Sequence, residues 1–73
     1  MEEKLIQIFA RVFEVDVDKV SDISYQSVDA WDSIGHMMMI SEVEGEFNIS
    51  IDMNDVIVIS KLSECIDIVK KYV

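Results

Sequence analysis

The chain has no proline, one cysteine and two glycines, and each shortage narrows what it can be. With Cys65 alone, no intramolecular disulfide can form, so a hydrophobic core must hold the fold unaided. Seventy-three residues lie near the lower limit for that, and they read as one domain, 1–73. Nothing glycine-rich is present to build an oxyanion hole. No apolar run is long enough to span a bilayer. The first residues, Met1, Glu2, Glu3 and Lys4, lack the basic start of a signal peptide, and a reduced cytoplasmic location is expected.

Positive charge is the other shortage. Fifteen acids face six bases, for a net charge of −9. Between Val20 and Ser60 there is no Lys or Arg, while that stretch holds Asp22, Asp29, Asp32, Glu42, Glu44, Glu46, Asp52 and Asp55. Such a field repels nucleic acid and anionic lipid and steers basic protein surfaces toward the middle of the chain. Solubility alone does not require forty residues without a base, so basic partners are the better reading.

Between residues 2 and 14, Leu5, Ile8, Phe9, Val12 and Phe13 form a helical stripe. Residues 15–32 lose that period and collect Asp and Ser, which predicts a long loop. A second helix starts at Asp32 or Ser33, either of which can cap it, and runs to about Phe47. Residues 52–57 form a short third helix. Ser60 caps a fourth, with Leu62, Cys65, Ile66 and Val69 facing inward and Lys70 and Lys71 near its negative end. The segment "NISIDMNDVIVIS" is rich in β-branched residues, and Ile49 and Ile51 alternate with polar neighbours as a strand would. A lone strand has nothing to pair with in a helical chain, so a connection and a short helix are expected there. The fold class is therefore all-α, a small four-helix bundle of three main helices plus a short third one. The expected buried set is Phe9, Val12, Phe13, Met39, Ile40, Val43, Phe47, Ile51, Ile59, Leu62, Ile66 and Val69.

The second helix carries the candidate site. On a wheel at about 100° per residue, His36, Met39, Ile40, Val43 and Phe47 gather on one side as a core stripe. Ile34, Met37, Met38 and Ser41 gather opposite, flanked by Glu42 and Glu44. A domain this small cannot easily bury both faces, so the second stripe should be exposed, apolar and rimmed by acid, the make-up of a docking surface. The unbranched thioether of Met suits a surface that accepts several partners. Met39 is assigned to the core instead. Ser33 opens the helix beside this stripe, where unpaired backbone N–H groups and the dipole favour an attached phosphate. On local sequence alone Ser33 is an ordinary N-cap.

Asp32, Ser33 and His36 contain the letters of a hydrolase triad. His36 could reach Ser33, but Asp32 adjoins the serine and is poorly placed to orient the far imidazole nitrogen. No catalytic residue is assigned, and His36 is expected to point inward onto Trp31. The run "EVDVDKVSDIS" suggests a calcium loop, but counting from Asp16 puts Ser21 and Ser27 where an EF-hand needs Gly and Glu. Counting from Asp52 gives Ile57 and Ser63, so no metal site is assigned. Cys65 lies on the apolar face of the last helix and is read as core packing.

Trp31-Asp32-Ser33-Ile34, followed by His36, resembles the Asp-Ser-Leu signature of acyl carrier proteins, with Ile34 in place of Leu. The likeness covers the whole chain: a first helix, a long loop, the signature at the head of an acidic helix, then "EVEGEF" where the family ends that helix with acids and Phe. It implies a bundle of acyl-carrier-protein type in which Ser33 carries 4′-phosphopantetheine through a phosphodiester, with Asp32 and Met37 beside it. A phosphopantetheinyl transferase would supply the group from coenzyme A, using Mg²⁺ to neutralise the pyrophosphate. The arm's thiol would then hold acyl or aminoacyl groups as thioesters for acyl-loading and acyl-transfer enzymes with basic docking surfaces. On this resemblance the chain is a non-enzymatic, monomeric carrier without nucleic acid or membrane insertion. The Trp-Asp-Ser-Ile-x-His form looks like stand-alone carriers of specialised lipid, polyketide or surface-polysaccharide pathways. Two departures touch partner choice. Met38 sits where many members have an acid, and Gly45 costs the helix roughly 1 kcal/mol against alanine. The rival reading is an unmodified acidic helical adaptor that docks basic partners by the same helix and gives Ser33 no special role.

Overall fold

The stripe of Leu5, Ile8, Phe9 and Phe13 folds as helix α1, Glu2–Phe13, in the computed structural model, which describes residues 1–73. Val12 lies at the edge of that stripe and is only half-buried. The helix stops where Glu14 turns left-handed, at φ 59°, and returns its N–H to the Ala10 carbonyl. Such a left-handed cap takes up a carbonyl that the helix leaves without a partner.

The next segment corrects the sequence reading. Residues 15–32 are not all loop: Val17–Asp22 winds as a 3₁₀ helix. Its one inward side chain, Val20, is fully buried. A six-residue 3₁₀ helix with a single buried apolar anchor has no periodicity to announce it.

Helix α2 spans Ser33–Phe47, α3 spans Met53–Val56 and α4 spans Leu62–Tyr72. There is no strand between residues 49 and 59. The β-branched run there is divided between α3 and two connections, with Ile51, Val56 and Ile59 turned inward. Helices α1, α2 and α4 and the 3₁₀ turn enclose one cluster of seventeen buried apolar residues, Cys65 among them. Burial pushes the Cys65 thiol up to about 12, which keeps it neutral and unreactive.

Three expected core positions sit at its margin instead. Val12, Phe47 and Ile66 are half-buried, while Ile68 is buried with Leu62, Cys65 and Val69 on α4. Ser60 is not the cap of α4 either. The cap position belongs to Lys61, which makes no side-chain cap bond. Ser60 lies one residue earlier, and its carbonyl accepts from the Tyr25 amide at 2.9 Å. Its amide and hydroxyl donate to Glu64 at 2.8 and 2.6 Å, and the hydroxyl is the first reason the Glu64 carboxyl stays below its ordinary range.

Two polar ties fix the four-residue α3, which is too short to hold itself. From α2, the His36 ring reaches the Val56 carbonyl at 2.8 Å. From α4, the Tyr72 hydroxyl donates to Asp55 at 2.5 Å and accepts from the Asp52 amide at 3.0 Å. Lys71 adds an ion pair to Asp55 at 3.0 Å. The Tyr72 hydroxyl first, and Lys71 second, hold the Asp55 carboxyl below its usual value. No helix is long and apolar enough to cross a membrane.

Candidate functional site

Everything around Ser33 is anchored by its neighbours rather than by Ser33 itself. Trp31, fully buried, stacks on Phe13 with centroids 4.2 Å apart and meets the edge of Phe9 at 5.4 Å. Its indole N–H donates to His36 Nδ1 at 3.0 Å. Because Nδ1 accepts, Nε2 carries the proton and donates to the Val56 carbonyl. The expectation that His36 turns inward onto Trp31 thus holds, and the contact extends as a relay from the loop through α2 to α3.

Asp32 is the N-cap of α2, and its carboxylate accepts from the Gly35 amide at 2.7 Å. Ser33 is the first helical residue, so its hydroxyl is not used as a cap. It is exposed, and the amides of Ser33 and Ile34 find no acceptor in the protein. Gly35 makes this geometry possible. A Cβ there would lie 1.9 Å from the Ala30 carbonyl oxygen, so only glycine lets the loop pass this close to the first turn. Its φ is not positive; the requirement is space, not an unusual backbone angle. Sequence reading passed over Gly35, because a close approach between segments leaves no local signal.

The letters of a triad do not assemble. Asp32 is committed to Gly35, and both ring nitrogens of His36 are committed to Trp31 and Val56.

Ile34, Met37 and Met38 are 70%, 45% and 55% exposed, a continuous apolar strip running away from Ser33, with Ser41 exposed further along. Glu42 is exposed beside them and forms an ion pair with Arg11 of α1. Glu44 departs from this group. It is half-buried, and its carboxylate accepts from the Ile51 amide at 2.9 Å, on the flank that fixes the connection after α2.

Two depressions meet at Ser33. One is an open groove of about 790 Å³ between α1 and α2, lined by Arg11, Val12, Glu14 and the strip just described. The other is a narrower cleft of about 310 Å³ between α2 and α3, bounded by Tyr25, His36, Met37, Met53, Val56, Ile57, Ile59 and Ser60. Residues of α1 and α3 were not foreseen here. The signal available for α3 and the turn after it was a surplus of apolar residues: Met53, Ile57 and Val58 remain exposed although the core is full.

No curated protein and no solved structure matches the chain. The family described as phosphopantetheine attachment site matches residues 3–69, from the first turn of α1 to the last of α4. A match over that span, on an all-helical fold with the Asp-Ser-Ile turn at the head of α2, places the chain in the phosphopantetheine attachment family as a carrier protein of acyl-carrier type, a site of covalent 4′-phosphopantetheine attachment.

Proposed function

We propose that Ser33 is the attachment residue, and that the chain presents acyl or aminoacyl groups to the enzymes of a specialised biosynthetic pathway. The observation that carries this is the exposed Ser33 hydroxyl at the first position of α2, beside two amides with no protein acceptor. A phosphodiester on that oxygen meets the positive end of a fifteen-residue helix, where an anion is favoured. The residues present therefore fit the group. When bound, it supplies a flexible thiol that holds cargo as a thioester.

The chain's own residues supply position. Asp32 holds the first turn through Gly35, while Trp31 and His36 pin the loop and α2 to the core, so the hydroxyl is offered from a rigid platform. Ile34, Met37 and Met38 form the apolar centre of a docking surface, with Met37 bordering both depressions at Ser33. Ser41 and Glu42 lie on its rim, within reach of basic groups of a phosphopantetheinyl transferase and of acyl-loading and acyl-transfer enzymes. The Arg11–Glu42 pair is solvent-exposed on both sides, so a partner's base can take over Glu42 at a cost of under about 1 kcal/mol. Glu44 contributes to the acidic field but is structurally engaged, so we assign it the weakest part in docking. The chain acts as a monomeric carrier in the cytoplasm.

Incubation with a phosphopantetheinyl transferase, coenzyme A and Mg²⁺ tests the reading by intact mass. A gain of one phosphopantetheine is expected. A chain that stays unmodified with several transferases of broad specificity would instead be the unmodified acidic adaptor.

A further inference from the structure

No acid of α2 stands free. Glu42 pairs with Arg11, Glu46 pairs with Lys4 at 3.0 Å, and Glu44 accepts from the Ile51 amide. The first turn of α2 holds no acid, and the Asp32 cap is engaged by Gly35. The two ion pairs both tie α1 to α2, but they lie in different surroundings. Lys4 and Glu46 are outside the groove that opens at Ser33, whereas Arg11, Glu14 and Glu42 are its charged lining. Arg11 is thus the one base lining either depression at Ser33.

We infer, resting on the assignment of Ser33, that Arg11 selects among partners, admitting those that set an acid beside the base they bring to Glu42. A partner's base reaches Glu42 only by displacing the Arg11 guanidinium. The displaced group stays in the interface, because its backbone is fixed in the last turn of α1. Against a wholly basic surface it adds like-charge repulsion, which disfavours that partner. Against a surface with a carboxylate in reach it forms a new two-pronged pair, and the original attraction is exchanged rather than lost. Glu14, the other acid of the groove, makes no ion pair and stays open to a further base. The matching partner edge therefore carries an acid among its bases. The Arg11 and Glu42 side chains are 60% and 48% exposed, so the selection has the scale of an exposed pair, about two- to fivefold.

The test times phosphopantetheine transfer from coenzyme A to the whole apo chain, using a transferase of broad specificity whose docking face carries bases alone. Arg11→Gln should raise kcat/KM about two- to fivefold at low salt, through KM with kcat unchanged, and the gain should fade as salt is added. Lys4→Gln makes the same change in net charge and breaks the matching pair with Glu46, so it separates a local effect from a general one. It should leave kcat/KM near the parent value. The transferase is then varied, one docking base at a time to Glu. At one position or more the parent chain should react faster than Arg11→Gln, reversing the order. Equal gains for the two variants, no gain for Arg11→Gln, or a scan without a reversal would each overturn the inference while the assignment of Ser33 stands. If no chain, parent included, gains a group at Ser33, that assignment fails and the inference with it.

Discussion

Replacing each of the two glycines of α2 by alanine should move stability in opposite directions. At Gly45 a new Cβ meets nothing within 4 Å, so the exchange removes only the glycine penalty of a helix interior. That gain is about 0.8–1 kcal/mol, or roughly 4–8 °C in Tm for a domain of this size. At Gly35 the new Cβ would stand 1.9 Å from the Ala30 oxygen and 3.1 Å from its carbonyl carbon. Those are backbone atoms and cannot rotate aside. The loop that carries them is held by Trp31 N–H to Val28 and Gln26 N–H to Trp31, at 3.0 and 2.9 Å. Overpacking of this kind costs about 1–3 kcal/mol, and part of the helix gain offsets it. A net loss of roughly 1–2 kcal/mol follows, or a Tm lower by about 5–15 °C. Thermal unfolding followed by circular dichroism, with urea titration at unchanged m, reads both variants. Gly35→Ala should in addition slow phosphopantetheine transfer, because the head of α2 is pushed off the loop. A Gly35→Ala protein that melts at or above the parent temperature would refute the packing argument, and with it the rigid platform under Ser33.

Other outcomes follow from the same geometry. Met39→Ala should cost roughly 2–5 kcal/mol, whereas Met38→Ala, at 55% exposure, should leave Tm nearly unchanged and slow transfer by partner enzymes. Equal destabilisation of the two would contradict a helix with one core face and one docking face. Glu42→Lys should lower association rates with partners, and the loss should shrink as salt is raised. Because the Asp55 carboxyl is held low by Tyr72 and Lys71, its contribution is present above the ordinary value of 3.8 and disappears as pH falls through the lowered one. Tyr72→Phe should therefore flatten part of the acid limb of the stability curve, which pH-dependent melting would show. Cys65 should react with thiol reagents in the native protein no faster than the chain unfolds, given full burial and a pKa pushed to about 12.

What could be read from the residues, and what could not, divides along physical lines. The main helices were legible because each repeats apolar residues at helical spacing against one core: Leu5, Ile8, Phe9 and Phe13 in α1, Met39, Ile40 and Val43 in α2. The exposed strip was legible because α2 carries more apolar residues than one core face can absorb. The 3₁₀ turn at Val17–Asp22 was not, since Val20 alone marks it. On α4, Ile66 and Ile68 are equally apolar and two apart, so composition could not say which lies inward. Glu44 reads as a surface acid by spacing, and only the returning chain reveals the Ile51 amide it accepts. The cleft beside Ser33 likewise depends on where α3 is tied, through hydrogen bonds between residues twenty or so apart in sequence.

The most direct measurement is the location of the modification. Parent protein and Ser33→Ala are treated with transferase and coenzyme A, digested, and mapped by tandem mass spectrometry, with circular dichroism confirming the fold of both. Ser33 is exposed and makes no cap bond, so the substitution should leave Tm within a few degrees. The parent should carry one phosphopantetheine, on Ser33, and the folded variant none. Phosphopantetheine on Ser27, Ser41 or any other serine, in either protein, would contradict the assignment.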